Sequence, residues 1–325
     1  MNTNKNIVES INCYTYSSQD CEILKILMSP IEYLGQLKNS NKTASNNQAN
    51  INLCNLMSNL TNDESFKLEF NQNVLNHKLP KSFIKTESAL NDYLKHIQNI
   101  LLQSYINYYD QSKNIPLKLY RSVSLSELEY LKTSRQIDTL WSTASNIDSV
   151  IGYTLEIAEQ EWDPKEHFII ELTIKNKIPF VDVDVDAETI FEPNEFILTP
   201  PFTVSKLKLI KKGGMNSLGF YNQNSIPIYS AELKTSYDYN CINNITYDKI
   251  INKFNKISKD INIYGNMIEA YLNDNDKNNL LHNKGYRLWA RNLQELIKMM
   301  QLYMCEYSKE IVKNNNEQPK MKILK

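Results

Sequence analysis

The chain has 325 residues, of which 42% are hydrophobic and 22% charged, and its formal net charge is −1. Those values suit a globular protein with a sizeable buried core, and they exclude the basic excess expected of a nucleic-acid binder. Asn, Lys, Ile and Tyr are abundant while only four arginines occur, so each Arg in this Lys-rich background draws notice.

From residue 17 to about 115 the periodicity is helical. Ser17 and Asp20 offer a capping-box-like start, and Cys21, Leu24, Ile26, Leu27 and Met28 follow at helical spacing until Pro30. Residues 38–50 form a polar, turn-rich stretch. The clearest helix runs from Ser88 to Tyr109, with Leu90, Leu94, Ile97, Leu101 and Tyr105 on one face. Beyond Pro116 the signal changes to strands. Leu117–Arg121 is the first, and Ser124 with Glu127 reads as a capping box opening a short helix through Leu128 and Leu131. Asp138–Ser142 is the next strand, and Ser145 and Asp148 then open a helix carrying Ile147, Val150, Ile151 and Leu155. Phe168, Ile170, Leu172 and Ile174 recur at every second position, the period of a strand. Pro179–Val183, Glu195–Thr199, Thr203–Ile210 and Ile226–Leu233 are further strands, with Gly213 and Gly214 marking a turn between the last two. From about 245 helical character returns, best in Tyr286–Met304, where Trp289, Leu293, Leu296, Ile297, Met300 and Met304 share a face. The whole predicts an α+β protein: an N-terminal helical lobe over 1–115, a strand-rich core over 116–236 and a C-terminal helical extension over 237–325.

Three patterns in the strand-rich core carry chemistry. LKLYR at 117–121 ends a strand in Arg, and LWSTAS at 140–145 ends a strand in small hydroxyl residues. EPNEFILTPPFTV at 192–204 opens an apolar strand with a Glu and follows it with a Pro pair. Alone, each has a plain structural meaning: a salt-bridged Arg, a helix cap and a solvated carboxylate. In this order, with 21 residues from Arg121 to Ser142 and 53 from Ser142 to Glu195, they resemble the Arg–Ser–Glu class of mono-ADP-ribosyltransferases. That class includes many bacterial toxins and effectors, and the resemblance covers about 117–235.

The resemblance implies a core of two packed, mostly antiparallel sheets and an enzyme that splits NAD, releases nicotinamide and transfers ADP-ribose to a target protein. NAD is then a co-substrate and no metal is required. Glu195 is implied as the group beside the nicotinamide ribose, where negative charge stabilises an oxocarbenium-like centre. Ser142 holds Glu195 in register, and Thr143 supports the strand. Arg121 is implied to grip the pyrophosphate, which suits a planar, permanently charged fork. Tyr120 joins Arg121, Ser142 and Thr143 in the implied NAD-binding set. An aromatic ring against nicotinamide is also implied, with Tyr153 and Trp162 in the corresponding stretch. Glu192, Pro193 and Asn194 fall on the acceptor side. There the chain departs from the family pattern: Pro193 stands where Glu or Gln is usual. Ala144 replaces the last Ser of the Ser-Thr-Ser motif, and Ser122 follows the Arg in place of Gly. These departures leave the acceptor open.

Two alternatives accompany this expectation: an NAD glycohydrolase using the same site with water, and a catalytically inactive NAD- or protein-binding module. The histidines (His77, His96, His167, His282) have no metal-ligand spacing. VDVDVDAE at 181–188 would place Asp182, Asp184 and Asp186 on one face of a strand end, read as a solvated turn or acceptor surface. Five scattered cysteines without CxxC spacing predict neither a disulfide framework nor a zinc site, and suit a reducing compartment. The polar opening MNTNKNIVES predicts no signal peptide, and no stretch reaches the ~18 apolar residues of a membrane helix. The expected site of action is cytoplasmic, including a host cytosol entered by a signal-peptide-independent route. The expected partners are a target protein and an activator on the C-terminal helices, with neither nucleic acid nor membrane.

Overall fold

The computed structural model describes residues 2–16, 21, 24–25, 27–29, 83–161, 167–187, 194–213, 226–235 and 284–317. In chain order the helices are α1 (Asn2–Tyr16), α2 (Phe83–Tyr109), α3 (Leu125–Thr133), α4 (Ile147–Glu161), α5 (Val183–Asp186) and α6 (Lys284–Glu317). The strands are β1 (Lys118–Ser124), β2 (Gln136–Ile137), β3 (Trp141–Ala144), β4 (His167–Ile174), β5 (Phe180–Asp182), β6 (Glu195–Leu198), β7 (Phe202–Lys211) and β8 (Ile228–Thr235). The α+β class follows directly. No helix among the described residues is long and apolar enough to cross a membrane.

Hydrogen bonding links the strands as one eight-stranded sheet in the order β2-β7-β8-β4-β1-β3-β6-β5, rather than as two separate sheets. Every neighbouring pair is antiparallel except β4 with β8. The sheet cannot be flat. β7 and β6 are five places apart in that order, about 24 Å at the usual strand spacing. Residues 199–201 join them, and so short a connection reaches about 14 Å at most. The 138–140 connection from β2 to β3 sets the same constraint. The sheet therefore folds back on itself, and Trp141 of β3 meets Phe202 of β7 with ring centroids 5.2 Å apart.

The fold occurs between β1 and β3, which share a single register pair, Tyr120↔Ala144. On its other side β1 pairs with β4 over seven residues. The two-layer expectation is thus met in packing but not in hydrogen bonding. Between the facing halves lies an apolar cluster that includes Leu119, Val123, Trp141, Ile170, Leu172, Phe196, Leu198 and Phe202.

A second cluster lies on the outer face of the β3–β6–β5 half. There Leu140, Val181 and Ile197 pack beneath α1, α2, α6 and residues Leu24, Leu27 and Met28. In α2 the buried residues Ile97, Ile100, Leu101 and Tyr105 follow helical spacing, as do Ile297, Met300 and Met304 in α6. Polar ties fix this layer: Ser104 Oγ donates to Thr199 Oγ1 at 2.6 Å, and Gln301 Nε2 donates to Pro200 O at 3.2 Å. Helices from both ends of the chain therefore form one layer. A third cluster places Val150 and Ile151 of α4 over Ile169 and Ile228.

The acidic run departs from expectation. β5 stops at Asp182, whose carboxylate accepts from Val185 N and caps the single-turn α5, so the three aspartates do not alternate along a strand. Asp186 turns inward, accepting from Asn107 Nδ2 at 2.6 Å, Gln103 Nε2 at 3.1 Å and Asp182 N at 2.9 Å. Burial raises its pKa above the ordinary carboxylate value. It is neither solvated nor presented to an acceptor.

The fold-back predicts a large cost at its contact. Phe202→Ala should lower stability by about 3–5 kcal/mol, read as a reduced urea midpoint at unchanged slope. A midpoint equal to that of the parent chain would show that the Trp141–Phe202 contact does not hold the halves together.

Candidate active site

The β3–β6 register sets the geometry. Ala144 faces Glu195 and Ser142 faces Ile197, so Ser142 and Glu195 are diagonal neighbours on one face of the sheet. Ser142 Oγ donates to Glu195 Oε1. A residue of each sign of the alternation contributes. Thr143, on the opposite face, donates its Oγ1 to Phe196 O at 3.0 Å and reinforces the same strand pair.

Backbone hydrogen bonds aim the carboxylate. Asn194 has φ of 77°, a left-handed conformation that Asn tolerates better than most residues. Its N–H donates to Asp184 Oδ2, and its carbonyl accepts from Ser145 N at 3.0 Å. The residue before Glu195 is thus clasped between α5 and the turn after β3. Asn146, rather than Ser145, caps the helix that follows: its Oδ1 accepts from Asp148 N at 2.9 Å.

Arg121 stands at the split between β1 and β3. The next register pairs after Tyr120↔Ala144 would be Arg121 with Thr143 and Ser122 with Ser142, and the strands make neither. Instead Arg121 Nη1 donates to Ser142 O at 2.8 Å, a side chain supplying the bond that the diverging backbones lack. Nε and Nη2 fork onto Glu127, with Nε–Oε1 at 3.2 Å and Nη2–Oε1 at 3.0 Å. The guanidinium carbon lies 4.9 Å from the Trp141 ring centroid, a cation–π contact. Burial opposes the Arg121 charge, yet its pKa stands above the ordinary value, chiefly through the charge and hydrogen bonds of Glu127.

Glu127 is a site residue that the sequence concealed. Ser124 does cap α3, accepting from Glu127 N at 3.3 Å. The Glu127 carboxylate, however, serves Arg121. An S-x-x-E pattern six residues from an Arg carried the signal, and the local capping meaning masked it. The Arg121 fork that suits a pyrophosphate is occupied by Glu127; one Nη1 hydrogen stays outside the bonds named above, since that nitrogen carries two.

The other expected residues are placed as follows. Tyr120 lies on the face of β1 opposite Arg121 and packs with Val150 and Ile151 of α4. Tyr153 is an exposed residue of α4. Glu192, Pro193 and Trp162 lie outside the described residues, as do Ser17 and Asp20. Among the described residues, no group of three or more His, Cys, Asp and Glu is arranged to hold a metal ion.

Tyr14 of α1 was also missed. Ile7, Ile11 and Tyr14 are buried at helical spacing, a short stripe within an otherwise polar opening. Compared with protein-family models and with curated proteins, the chain matches none.

Removing one partner of the buried Arg121–Glu127 pair leaves an uncompensated charge. Glu127→Ala should cost about 3–5 kcal/mol of stability, and Glu127→Gln, which retains acceptor oxygen, should cost less. Chemical denaturation of the two variants measures the difference; equal stability for Glu127→Ala and the parent would remove the pair's structural role.

Proposed function

We propose that this protein is an NAD-dependent mono-ADP-ribosyltransferase that transfers ADP-ribose to a side chain of a target protein. The observation carrying this reading is the Ser142–Glu195 hydrogen bond on adjacent strand ends, with Arg121 anchored on the Ser142 carbonyl. The three residues singled out for their order along the chain meet within one hydrogen-bonded group.

In this reading Glu195 supplies negative charge beside the nicotinamide ribose. The bond between C1′ and the nicotinamide nitrogen breaks, and nicotinamide leaves as a neutral molecule with the electron pair. The acceptor then attacks C1′, forming the new bond, and gives up its proton to solvent. Glu195 favours the cation formed between these events because its charge is fixed before the bond breaks. Ser142 fixes that carboxylate from one side, and the clasp on Asn194 fixes its backbone from the other. Arg121 acts chiefly by positioning Ser142, with its remaining Nη1 hydrogen available to a phosphate oxygen.

Pro193 favours one competing reading, hydrolysis of NAD by the same site, because the chain lacks the Glu or Gln usual at that acceptor-side position. The two differ in product: protein-bound ADP-ribose for transfer, free ADP-ribose for hydrolysis. As an effector or toxin in a cytosol, the transferase would require a protein acceptor in the assay.

The test is incubation of the full chain with NAD and a cell lysate, measuring nicotinamide release and labelled protein. Glu195→Ala should reduce nicotinamide release by at least 100-fold, a loss of about 2.7 kcal/mol or more in transition-state stabilisation, with the circular dichroism spectrum unchanged. Ser142→Ala should show a smaller loss in kcat. Full activity in Glu195→Ala would end this assignment.

A further inference from the structure

Among the described residues, the helical layer over β3 and β6 contains four buried side-chain atoms without a hydrogen-bond partner: Asn12 Oδ1, Tyr14 Oη, Ser29 Oγ and Glu306 Oε1. Tyr14 is 1% exposed, and among the described residues its Oη is a buried atom with no hydrogen-bond partner. Buried tyrosine hydroxyls ordinarily find a partner, because stripping water from one without replacement is unfavourable. An orphan of this kind in a folded chain calls for an explanation.

Its position supplies one. Ser142 shares its sheet face with Leu140, and Glu195 shares the same face with Ile197. Leu140 and Ile197 belong to the apolar cluster that contains Tyr14, so α1 lies on the side to which Ser142 and Glu195 turn. The segment after α1 is fixed to the same edge: Thr139 Oγ1 donates to Lys25 O at 2.9 Å, two residues before Trp141. Burial first, and then Cys21 and Glu195, raise the Tyr14 pKa, while Lys25 and Arg121 act to lower it. The phenol therefore stays protonated and able to donate, within electrostatic reach of both the carboxylate and the guanidinium. Glu195 and Arg121 are each only 9% exposed and, like Tyr14, buried.

We propose that Tyr14 Oη is a substrate-binding group of the Ser142–Glu195 site, donating a hydrogen bond to an oxygen of the ribose–diphosphate portion of the bound dinucleotide. α1 then contributes a residue to the site as well as part of the core. This inference rests on the NAD-cleaving reading of the site. The missing partner of the phenol arrives with the substrate, so the apo protein carries the unsatisfied hydroxyl and the complex does not.

Tyr14→Phe separates packing from hydrogen bonding, because it retains the ring and removes only Oη. The experiment is calorimetric titration of the full chain with NAD, together with kcat and KM for nicotinamide release and a thermal melt without ligand. The expected result is a Kd and KM for NAD raised about 10-fold, one hydrogen bond's worth of affinity. kcat should stay within about twofold, because the bond is made equally in ground and transition states. The apo melting temperature should be unchanged or higher, since no bond is lost. Wild-type Kd and KM in Tyr14→Phe would overturn the proposal, whatever the melting temperature. If the parent chain neither binds nor cleaves NAD, the reading of the site fails and this inference falls with it. NAD binding by the parent and by Tyr14→Phe with equal affinity sinks the inference alone.

Discussion

The structure turns on a single guanidinium. Where β1 and β3 part after one register pair, Arg121 bridges them, holding the Ser142 carbonyl with one nitrogen and Glu127 with the others. A sheet that opened there without such a bridge would expose unpaired backbone groups at the centre of the molecule. With it, the eight strands fold into two facing layers, Trp141 is pinned between the guanidinium and Phe202, and β3 is delivered to β6. The pair is buried, so its value lies less in net stability than in the one arrangement of strands that it permits. Lys in place of Arg121 offers no planar fork with which to meet a carboxylate and a carbonyl together.

Much of this architecture was legible in the sequence, and the reasons for the exceptions are physical. Period and length made α2 and α6 plain, because their apolar residues recur at helical spacing over many turns. The alternation of Phe168, Ile170, Leu172 and Ile174 placed β4 for the corresponding reason. α1 escaped because only Ile7, Ile11 and Tyr14 mark its buried side, set among Asn, Lys and Glu that read as a polar start. β2 is two residues long and carries no period at all. Alternating Val and Asp over 181–186 suggested an extended strand, yet Asp182 prefers to cap a helical turn and Asp186 finds Asn107 across 79 residues of chain. The partner in each case lies outside any local window.

The site divides along the same line. Order and spacing brought Arg121, Ser142 and Glu195 to attention, and they do gather in space. Their mutual arrangement was not legible, because the β3–β6 register that makes Ser142 and Glu195 diagonal neighbours is a tertiary fact. Glu127 shows a subtler failure. A carboxylate three residues after a capping Ser has a sufficient local explanation, and that explanation hid its bond to Arg121. Tyr120 shows the converse: sequence neighbours on a strand point to opposite faces, so Tyr120 pairs with Ala144 on the face that carries Ser142 and Glu195 and packs on α4, while Arg121 turns to the other face beside Trp141.

The clasp on Asn194 has an evolutionary consequence. Its amide closes onto Asp184, and its carbonyl is bonded to Ser145, so the chain entering β6 is anchored independently of the residues between. Substitutions upstream of Asn194 then need not move the carboxylate, because the bonds that hold its approach are made by Asp184, Asn194 and Ser145 themselves. The placing of the carboxylate and the sequence that precedes it become separately adjustable, as in a tool with a fixed blade and an exchangeable guide. Pro193, the residue at which the sequence departs from the pattern it resembles, stands in the chain two residues before that fixed carboxylate.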